Sequence, residues 1–202
     1  MRNQKLALGV IALLLVVATG CAKPPQQEID AAKAAVSAAE SAEAPKYAAD
    51  AWNKAQQAMN AVNAEIEAQA NKFALFRSYT KAKELVAAAS QAANEAKDAA
   101  VAGKEAAKNA ANEALAAAKA SLDGANAVMG DLAKCKRQPK DFKKDMEAMK
   151  GQFDGLSAQV AGIESAIASE DFFGAKAQAD SLKSSADTLK ADLEAGKAKI
   201  KC

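Results

Sequence analysis

A chain of 202 residues can form one or two domains, but this chain contains no histidine and only 4% aromatic residues. The lack of histidine removes the commonest general base and the commonest metal ligand. A formal net charge of +2 excludes proteins that hold nucleic acid through a strong basic excess. Because alanine dominates and no segment alternates β-branched with polar residues, the sequence predicts an all-α fold without a sheet.

The first predicted element is a short apolar segment at the N-terminus. Arg2 and Lys5 precede an apolar run from Leu6 to Val17. A helix over these residues would be roughly 18 Å long, which is too short for a hydrocarbon core of about 30 Å. The segment is therefore predicted to be a signal peptide that is removed, and not a transmembrane helix.

Small residues lead from this segment to a cysteine, in the tetrad Ala18-Thr19-Gly20-Cys21. The tetrad resembles the bacterial lipobox. The resemblance implies that residues 1–20 are cleaved off, that the Cys21 thiol carries a diacylglycerol and that its new amine is acylated. Ala22, where an aspartate would favour retention at the inner membrane, implies the outer membrane. The alternative is an ordinary secretory signal in which Cys21 has no role.

Residues 21–27 are predicted to form the lipidated cysteine and a polar tether, because Pro24-Pro25 prevents a continuous helix. Removal of Arg2 and Lys5 leaves 25 basic and 25 acidic residues in the mature chain. The mature chain as a whole therefore has no basic excess to hold nucleic acid or an anionic membrane surface.

An Ala-rich bundle of about three helices is predicted from residue 28 to residue 124. Its first apolar stripe is Ile29, Ala32, Val36 and Ala39, and its second is Trp52, Ala55, Met59, Val62 and Ile66. The two stripes differ in phase by about 200° around a helix, so a straight helix would point them in opposite directions. A break is therefore predicted at Pro45, with Pro45 at the start of the second helix. Tyr47 and Trp52 are interpreted as packing residues.

The segment Phe73-Ala74-Leu75-Phe76-Arg77 is too apolar for an ordinary loop and is predicted to turn the chain while plugging the end of the bundle. A long helix follows, with a predicted stop at Leu122-Asp123-Gly124, although residues 128–132 are compatible with another turn or two. From Ala87 to Ala118, 17 of 32 residues are alanine, so close packing but little buried area per residue is expected. The alternative is a largely disordered or fraying stretch around Gly103.

This part of the chain resembles a known domain. The residues that carry the resemblance are Ala44-Pro45-Lys46-Tyr47, Ala51, Ala55, Ala58, Tyr79, Ala82, Ala89, Ala93 and Ala96. They are similar to an Ala-rich helical domain of unknown function in Gram-negative lipoproteins, often found ahead of an OmpA-like peptidoglycan-binding domain. The resemblance covers roughly residues 28 to 100. No OmpA-like domain follows here, so the resemblance does not imply peptidoglycan binding.

A lipidated Ala-rich helix is also similar to murein lipoprotein, whose terminal lysine is joined to peptidoglycan. This chain ends in Lys199-Ile200-Lys201-Cys202 instead. Covalent attachment to the cell wall is therefore not expected.

Residues 135–202 carry the most regular pattern in the chain, which predicts an antiparallel two-helix coiled-coil hairpin. Apolar residues follow a 4-3 rhythm in the first helix: Phe142, Met146, Met149, Phe153, Leu156, Val160, Ile163 and Ile167. After a predicted turn at Ser169-Glu170-Asp171, the return helix repeats it: Phe172, Ala175, Ala179, Leu182, Ala186, Leu189, Leu193, Gly196 and Ile200. Folding at the turn places Phe142 near Gly196, a large residue against a small one.

Cys135 and Cys202 lie at equal distances from the predicted turn, so an antiparallel hairpin brings them together at its open end. Because the periplasm is oxidising, a disulfide between them is predicted. The alternative is two free thiols or intermolecular pairing. The spacing is not Cys-x-x-Cys, so a structural role is favoured over a redox-active one.

Small residues lie beside the first seam of the hairpin at Gly151, Gly155, Ala158 and Gly162. Each glycine in a helix costs about 1 kcal/mol relative to alanine. The functional interpretation is a face on which another helix docks closely, either the Ala-rich helix of this chain or a partner. The alternative is an exposed face that tolerates glycine.

The sequence shows no catalytic constellation, because its acidic residues are interspersed with lysines as on solvated helix faces. No phosphate-binding loop, serine nucleophile motif or metal-ligand cluster is present, so no enzymatic activity, cofactor, metal, nucleic acid or small-molecule substrate is expected. The leading hypothesis is an outer-membrane lipoprotein that faces the periplasm and has a structural, scaffolding or spacer role. Its partners would be the membrane, through the lipid anchor, and envelope proteins or further copies of itself.

Two other functions stay open. One is an accessory binding module that docks a specific envelope complex through the glycine face or the Ala-rich helix. The other is a carrier of an apolar ligand between helices, which the small alanine seams disfavour because they leave little room for a cavity.

Overall fold

The computed structural model describes residues 23–136 and 139–201. These residues form α-helices joined by short turns, with no strand among them, which confirms the all-α prediction. The helices are α1 (Gln26–Ser41), α2 (Ala44–Tyr47), α3 (Ala49–Ala70), α4 (Thr80–Ala133), α5 (Lys140–Ala168) and α6 (Phe172–Lys199), with a 3-10 turn at Ala74–Phe76. The chain divides into two compact units, Met1–Gly103 and Lys104–Cys202.

The predicted break at Pro45 is confirmed, but it is longer than a single bend. Glu43 has a left-handed backbone with φ of 60°, and Ala48 leaves the helical region with φ of −146°. Pro45 therefore lies in the separate one-turn helix α2, and the second long helix begins at Ala49. Two backbone irregularities accommodate the phase change between the two apolar stripes.

Two apolar clusters fill the first unit and show how its helices run. One cluster consists of Ile29, Ala32, Met59, Val62, Val86 and Ala89. The other consists of Ala39, Ala44, Ala55, Ala93, Ala96 and Ala100, with Tyr47 and Trp52 packed against it. The start of α1, the end of α3 and the start of α4 therefore lie at one end of this unit. The second cluster is built wholly from alanine, which lets the helices approach closely.

Helix α4 passes through Gly103 without interruption, so the predicted alternative of a fraying stretch is wrong. The backbone of Tyr47 packs directly on this glycine. A Cβ at residue 103 would overlap the Tyr47 carbonyl oxygen and lie 3.2 Å from its carbonyl carbon. Glycine is needed here because the corner around α2 leaves no room for a side chain.

We expect Gly103→Ala to destabilise the protein by about 1–3 kcal/mol, although alanine is the better helix former. The reason is that the added methyl group meets backbone atoms, which cannot move aside as a flexible side chain can. Gly130→Ala is the matched control in the same helix, since nothing lies within 4 Å of a Cβ there. The control should gain up to about 1 kcal/mol. Chemical unfolding of both variants, followed by circular dichroism, decides the matter; equal stabilisation would contradict the packing of Tyr47 on Gly103.

The segment after α3 turns the chain as predicted, but it does not plug the bundle. Phe73, Leu75 and Phe76 are 70%, 65% and 74% exposed. This end of the unit is filled instead by Tyr79 and by the paired polar side chains of Glu65 and Gln69, all of which are buried. The predicted plug was wrong because Tyr79, Glu65 and Gln69 occupy this end of the core.

In the second unit, α5 and α6 are joined by a turn at the predicted residues. Glu170 supplies the left-handed backbone with φ of 61°, and Asp171 caps α6 by accepting a hydrogen bond from the Gly174 N–H at 3.2 Å. The predicted seams face inward: every seam residue of α6 from Phe172 to Gly196 is buried, and those of α5 are buried or half-buried. Phe142 contacts Gly196 as predicted, with a ring carbon 3.0 Å from where a Cβ would lie.

Helix α4 continues to Ala133, past the predicted stop at Leu122-Asp123-Gly124. Its C-terminal part belongs to the second unit, which begins at Lys104, whereas we predicted that the bundle would extend to residue 124 and a separate hairpin would begin at residue 135. The physical reason is burial. Ala125 and Leu132 are 0% exposed and pack in one cluster with Phe142, Leu189 and Leu193.

Ion pairs align this part of α4 with the hairpin. Lys104 and Lys119 of α4 contact Glu170 and Glu164, each with an Nζ–oxygen distance of 2.6 Å. Lys197 of α6 reaches Asp131 at 3.0 Å. Pairs this exposed contribute little free energy, so the apolar cluster supplies the stability and the charges favour one register.

Candidate functional site

The predicted lipid-anchor residue, Cys21, lies outside the described residues, so lipidation stays a prediction. Within residues 23–136 and 139–201, no helix is both long enough and apolar enough to span a bilayer. The first described helix, α1, begins at Gln26, five residues after Cys21. Five residues reach at most about 18 Å, so the start of α1 would lie close to an anchor at Cys21.

Of the two cysteines in the predicted disulfide, only Cys135 lies among the described residues. Cys135 is half-buried against the cluster that contains Leu132 and Leu193, and it is disulfide-bonded. Ile200 packs on the same cluster. The chain near residue 200 therefore lies at the same end of the second unit as Cys135. Cys202 itself lies outside the described residues, so its pairing with Cys135 stays a prediction.

The predicted helix-docking face is exposed, and none of the described residues of the second unit covers it. Gly151, Gly155, Ala158 and Gly162 are all exposed, and a Cβ placed on any of the three glycines would meet nothing within 4 Å. The part of the Ala-rich helix that belongs to the second unit, from Lys104 onward, therefore does not dock on this face. Helix α4 packs on the hairpin through other residues, such as Leu132.

The glycine face borders an open groove between α5 and α6. Gly155 and Leu156 form one wall of the groove and Leu189 part of the other, with Gln152, Gln159, Ser184, Ser185, Thr188 and Asp192 along it. A continuation of the groove passes Gly162 and Ile163. Most of its polar residues are uncharged, so the groove can accept a second chain without burying several charges.

Replacing all three glycines of this face with alanine is expected to stabilise the protein. The substitution Gly151→Ala/Gly155→Ala/Gly162→Ala adds methyl groups to open space on a helix, and each should contribute up to about 1 kcal/mol. Denaturant unfolding of the oxidised protein measures the gain. Gly196→Ala is the contrasting control: its Cβ would lie 3.0 Å from the ring of the buried Phe142, so we expect a smaller gain than at the three open positions. A triple variant less stable than the parent would show that these glycines are packed within the fold.

One surface feature was misassigned from the sequence. We call residues 72–77 the apolar turn; it carries the exposed Phe73, Leu75 and Phe76, with the rings of the two phenylalanines 6.3 Å apart. Their apolar character was visible in the sequence, but their exposure was not. Helical spacing could not predict this exposure, because the turn residues belong to neither of the two flanking helices.

Polar contacts hold the apolar turn in place. The Arg77 guanidinium donates to the carbonyl oxygens of Ala70 at 2.8 Å and Lys72 at 2.9 Å, which satisfies acceptors at the C-terminus of α3. The Ser78 N–H donates to the Gln69 side-chain oxygen at 3.1 Å. The turn is thus tied to the helix end by side chains from both of its flanks.

A buried acid lies beneath these contacts. Gln69 donates to Glu65 at 2.7 Å and Lys81 approaches the same carboxylate at 3.1 Å. The hydrogen bonds from Gln69 and from Lys81 lower the pKa of the Glu65 carboxyl below its usual value. Glu65 therefore stays ionised at neutral pH although its side chain is largely shielded from water. This network explains how a carboxylate can lie at the end of an apolar core.

No family model, curated protein or solved structure matches this chain. Function is therefore inferred from its residues and their arrangement. Among the described residues, no group of three or more cysteine, aspartate or glutamate side chains is arranged to hold a metal ion. Three features are candidates for a function: the lipobox-like sequence around Cys21, the exposed glycine face and the apolar turn.

Proposed function

We propose that this protein is a lipoprotein of the outer membrane, anchored through Cys21 and facing the periplasm, with a structural role as a spacer or scaffold between envelope components. Its finer architecture would be an Ala-rich bundle followed by a disulfide-clamped helical hairpin. The lipobox-like tetrad supports the anchor, and no enzymatic step is included in the proposal.

The observation that supports the structural role is the distribution of apolar and charged residues over the described helices. In each unit, alanine and larger apolar side chains are packed into seams between the helices, and charged side chains cover the outside. Helices α5 and α6, with 29 and 28 residues, are each about 42 Å long. Long helices paired along an apolar seam are suited to holding components at a distance.

The anchor is tested on the protein purified from membranes. Mass spectrometry of its N-terminal peptide should show Cys21 as the first residue, with three acyl chains, and sucrose-gradient fractionation should place it with the outer membrane. Cys21→Ser should abolish both the modification and the membrane association. An unmodified N-terminus at another residue would contradict the proposal.

The second candidate function is an accessory module that docks one envelope complex through the glycine face. It is favoured by the exposure of three helical glycines along an open groove, which the fold itself does not require. In-cell photo-crosslinking from Ala158, which is exposed, distinguishes the two functions, with exposed Asn109 of α4 as a comparison position. One dominant protein adduct specific to residue 158 would favour the accessory module. Self-adducts or diffuse, abundant neighbours at both positions would favour the spacer.

A further inference from the structure

Exposed apolar side chains are concentrated in the apolar turn. Among the described residues, the exposed large apolar side chains are Phe73, Leu75, Phe76, Val101 and Phe173. Three of these five lie within four consecutive residues, so the turn presents a continuous apolar tip. Contiguous exposed apolar groups of this kind mark contacts with a partner or a membrane.

The position of the turn identifies the surface that covers it. The cluster around Ile29 and Val62 places the start of α1 and the end of α3 at the same end of the first unit. The apolar turn follows α3 directly, so it lies at the end where the chain arrives from Cys21. The tether from Cys21 to Gln26 can reach at most about 18 Å, which keeps this end close to any membrane that holds the anchor.

The charges around the turn match a membrane surface. From Lys72 to Lys83 the chain carries four basic residues and no acidic one, although the mature chain as a whole has equal numbers of each. One of the four, Lys81, is paired with Glu65, so the basic character of the turn rests on Lys72, Arg77 and Lys83. Apolar tips flanked by lysine and arginine are typical of segments that enter the lipid interface, because the apolar groups leave water while the cations stay at the headgroups.

The turn is also ordered before any contact is made. The two hydrogen bonds from Arg77 to backbone carbonyls and the bond from Ser78 to Gln69 hold its backbone, and the Phe76 N–H closes the 3-10 turn on the Phe73 carbonyl at 2.9 Å. Because these bonds fix the backbone of the turn, its apolar side chains stay exposed and do not pack onto the first unit.

We propose that the apolar turn inserts Phe73, Leu75 and Phe76 into the interface of the membrane leaflet that holds the Cys21 anchor. This inference rests on the proposed lipid anchor. The contact gives the body a second point of attachment. With one anchor alone the body could rotate freely about its tether, whereas two points fix the first unit's end against the membrane.

The test uses full-length lipidated protein in vesicles of phosphatidylethanolamine and phosphatidylglycerol that contain lipids with brominated acyl chains. Trp52→Phe removes the native tryptophan, and Phe76→Trp or Val101→Trp supplies a single reporter. Val101 is the matched control, since it is exposed and apolar but lies near Gly103, at the other end of the same unit. Bromine quenches tryptophan only within the lipid, so we expect a blue shift and several-fold stronger quenching at residue 76 than at residue 101.

The anchor is read separately from the same samples by vesicle flotation and by the mass of the N-terminal peptide. If the acylated protein floats but both reporters are equally and weakly quenched, the membrane contact is overturned and the anchor stands. If the protein is neither acylated nor floating, the proposed function fails and the membrane contact fails with it. A photo-crosslinker at residue 76 that captures a protein, with no lipid adduct, would overturn the membrane and assign the turn to a protein partner.

Discussion

Removal of the predicted disulfide should lower the free energy of unfolding of the second unit by about 4 kcal/mol, the value of the chain-entropy model for a loop of this length. The change is Cys135→Ser/Cys202→Ser, which leaves no unpaired thiol at this end and leaves Cys21 untouched. The expected loss is comparable to the whole stability of a small domain. Denaturant unfolding of oxidised protein measures it.

Reduction of the parent protein is the matched control for this experiment. A reducing agent should shift the parent to the stability of the double-serine variant and leave that variant unchanged. Peptide mapping without reduction should show the fragments around residues 135 and 202 joined. Identical unfolding midpoints for oxidised parent, reduced parent and variant would show that no clamp exists, whatever the redox state of Cys135.

Leu132→Ala is the second substitution with a large expected effect, a loss of about 2–5 kcal/mol. Leu132 is 0% exposed and packs with Phe142 and Leu193, so truncation leaves a cavity between α4 and the hairpin. The experiment also tests the helix boundary. If α4 ended near residue 124, Leu132 would lie in a connecting segment and its truncation would cost little.

Leu75→Ala removes the same atoms from a residue that is 65% exposed, and its stability should stay close to that of the parent. Both variants are compared by their denaturant midpoints under oxidising conditions, because residue 132 lies near Cys135 and the two sites can couple. Equal midpoints for the two leucine variants would contradict the packing of α4 on the hairpin.

Several elements of this fold follow from the sequence alone. The seams of α5 and α6, the turn between them and the break around Pro45 were all predicted, because each depends on local rules. Spacing of apolar residues by three and four sets the buried face of a helix, and proline or capping residues end it. These signals do not depend on what the helix later packs against.

Other features were decided by tertiary packing. Asp123-Gly124 resembles a helix stop, yet α4 continues because Ala125 and Leu132 gain more from burial against the hairpin than Gly124 costs. The spacing from Leu122 to Ala125 and on to Leu132 carried a weak signal of this continuation. Only the three-dimensional arrangement showed which residues it would meet.

Exposure likewise depends on the whole fold. Phe73 and Phe76 are as apolar as Phe142, but they lie outside the core, whereas Phe142 packs on Gly196. Gly103 is crowded by Tyr47, while Gly151 and Gly155 face open space, although all three are glycines within helices. Local periodicity determines which residues share a face of a helix. Which faces are covered depends on contacts between residues distant in sequence, and these exist only in the folded chain.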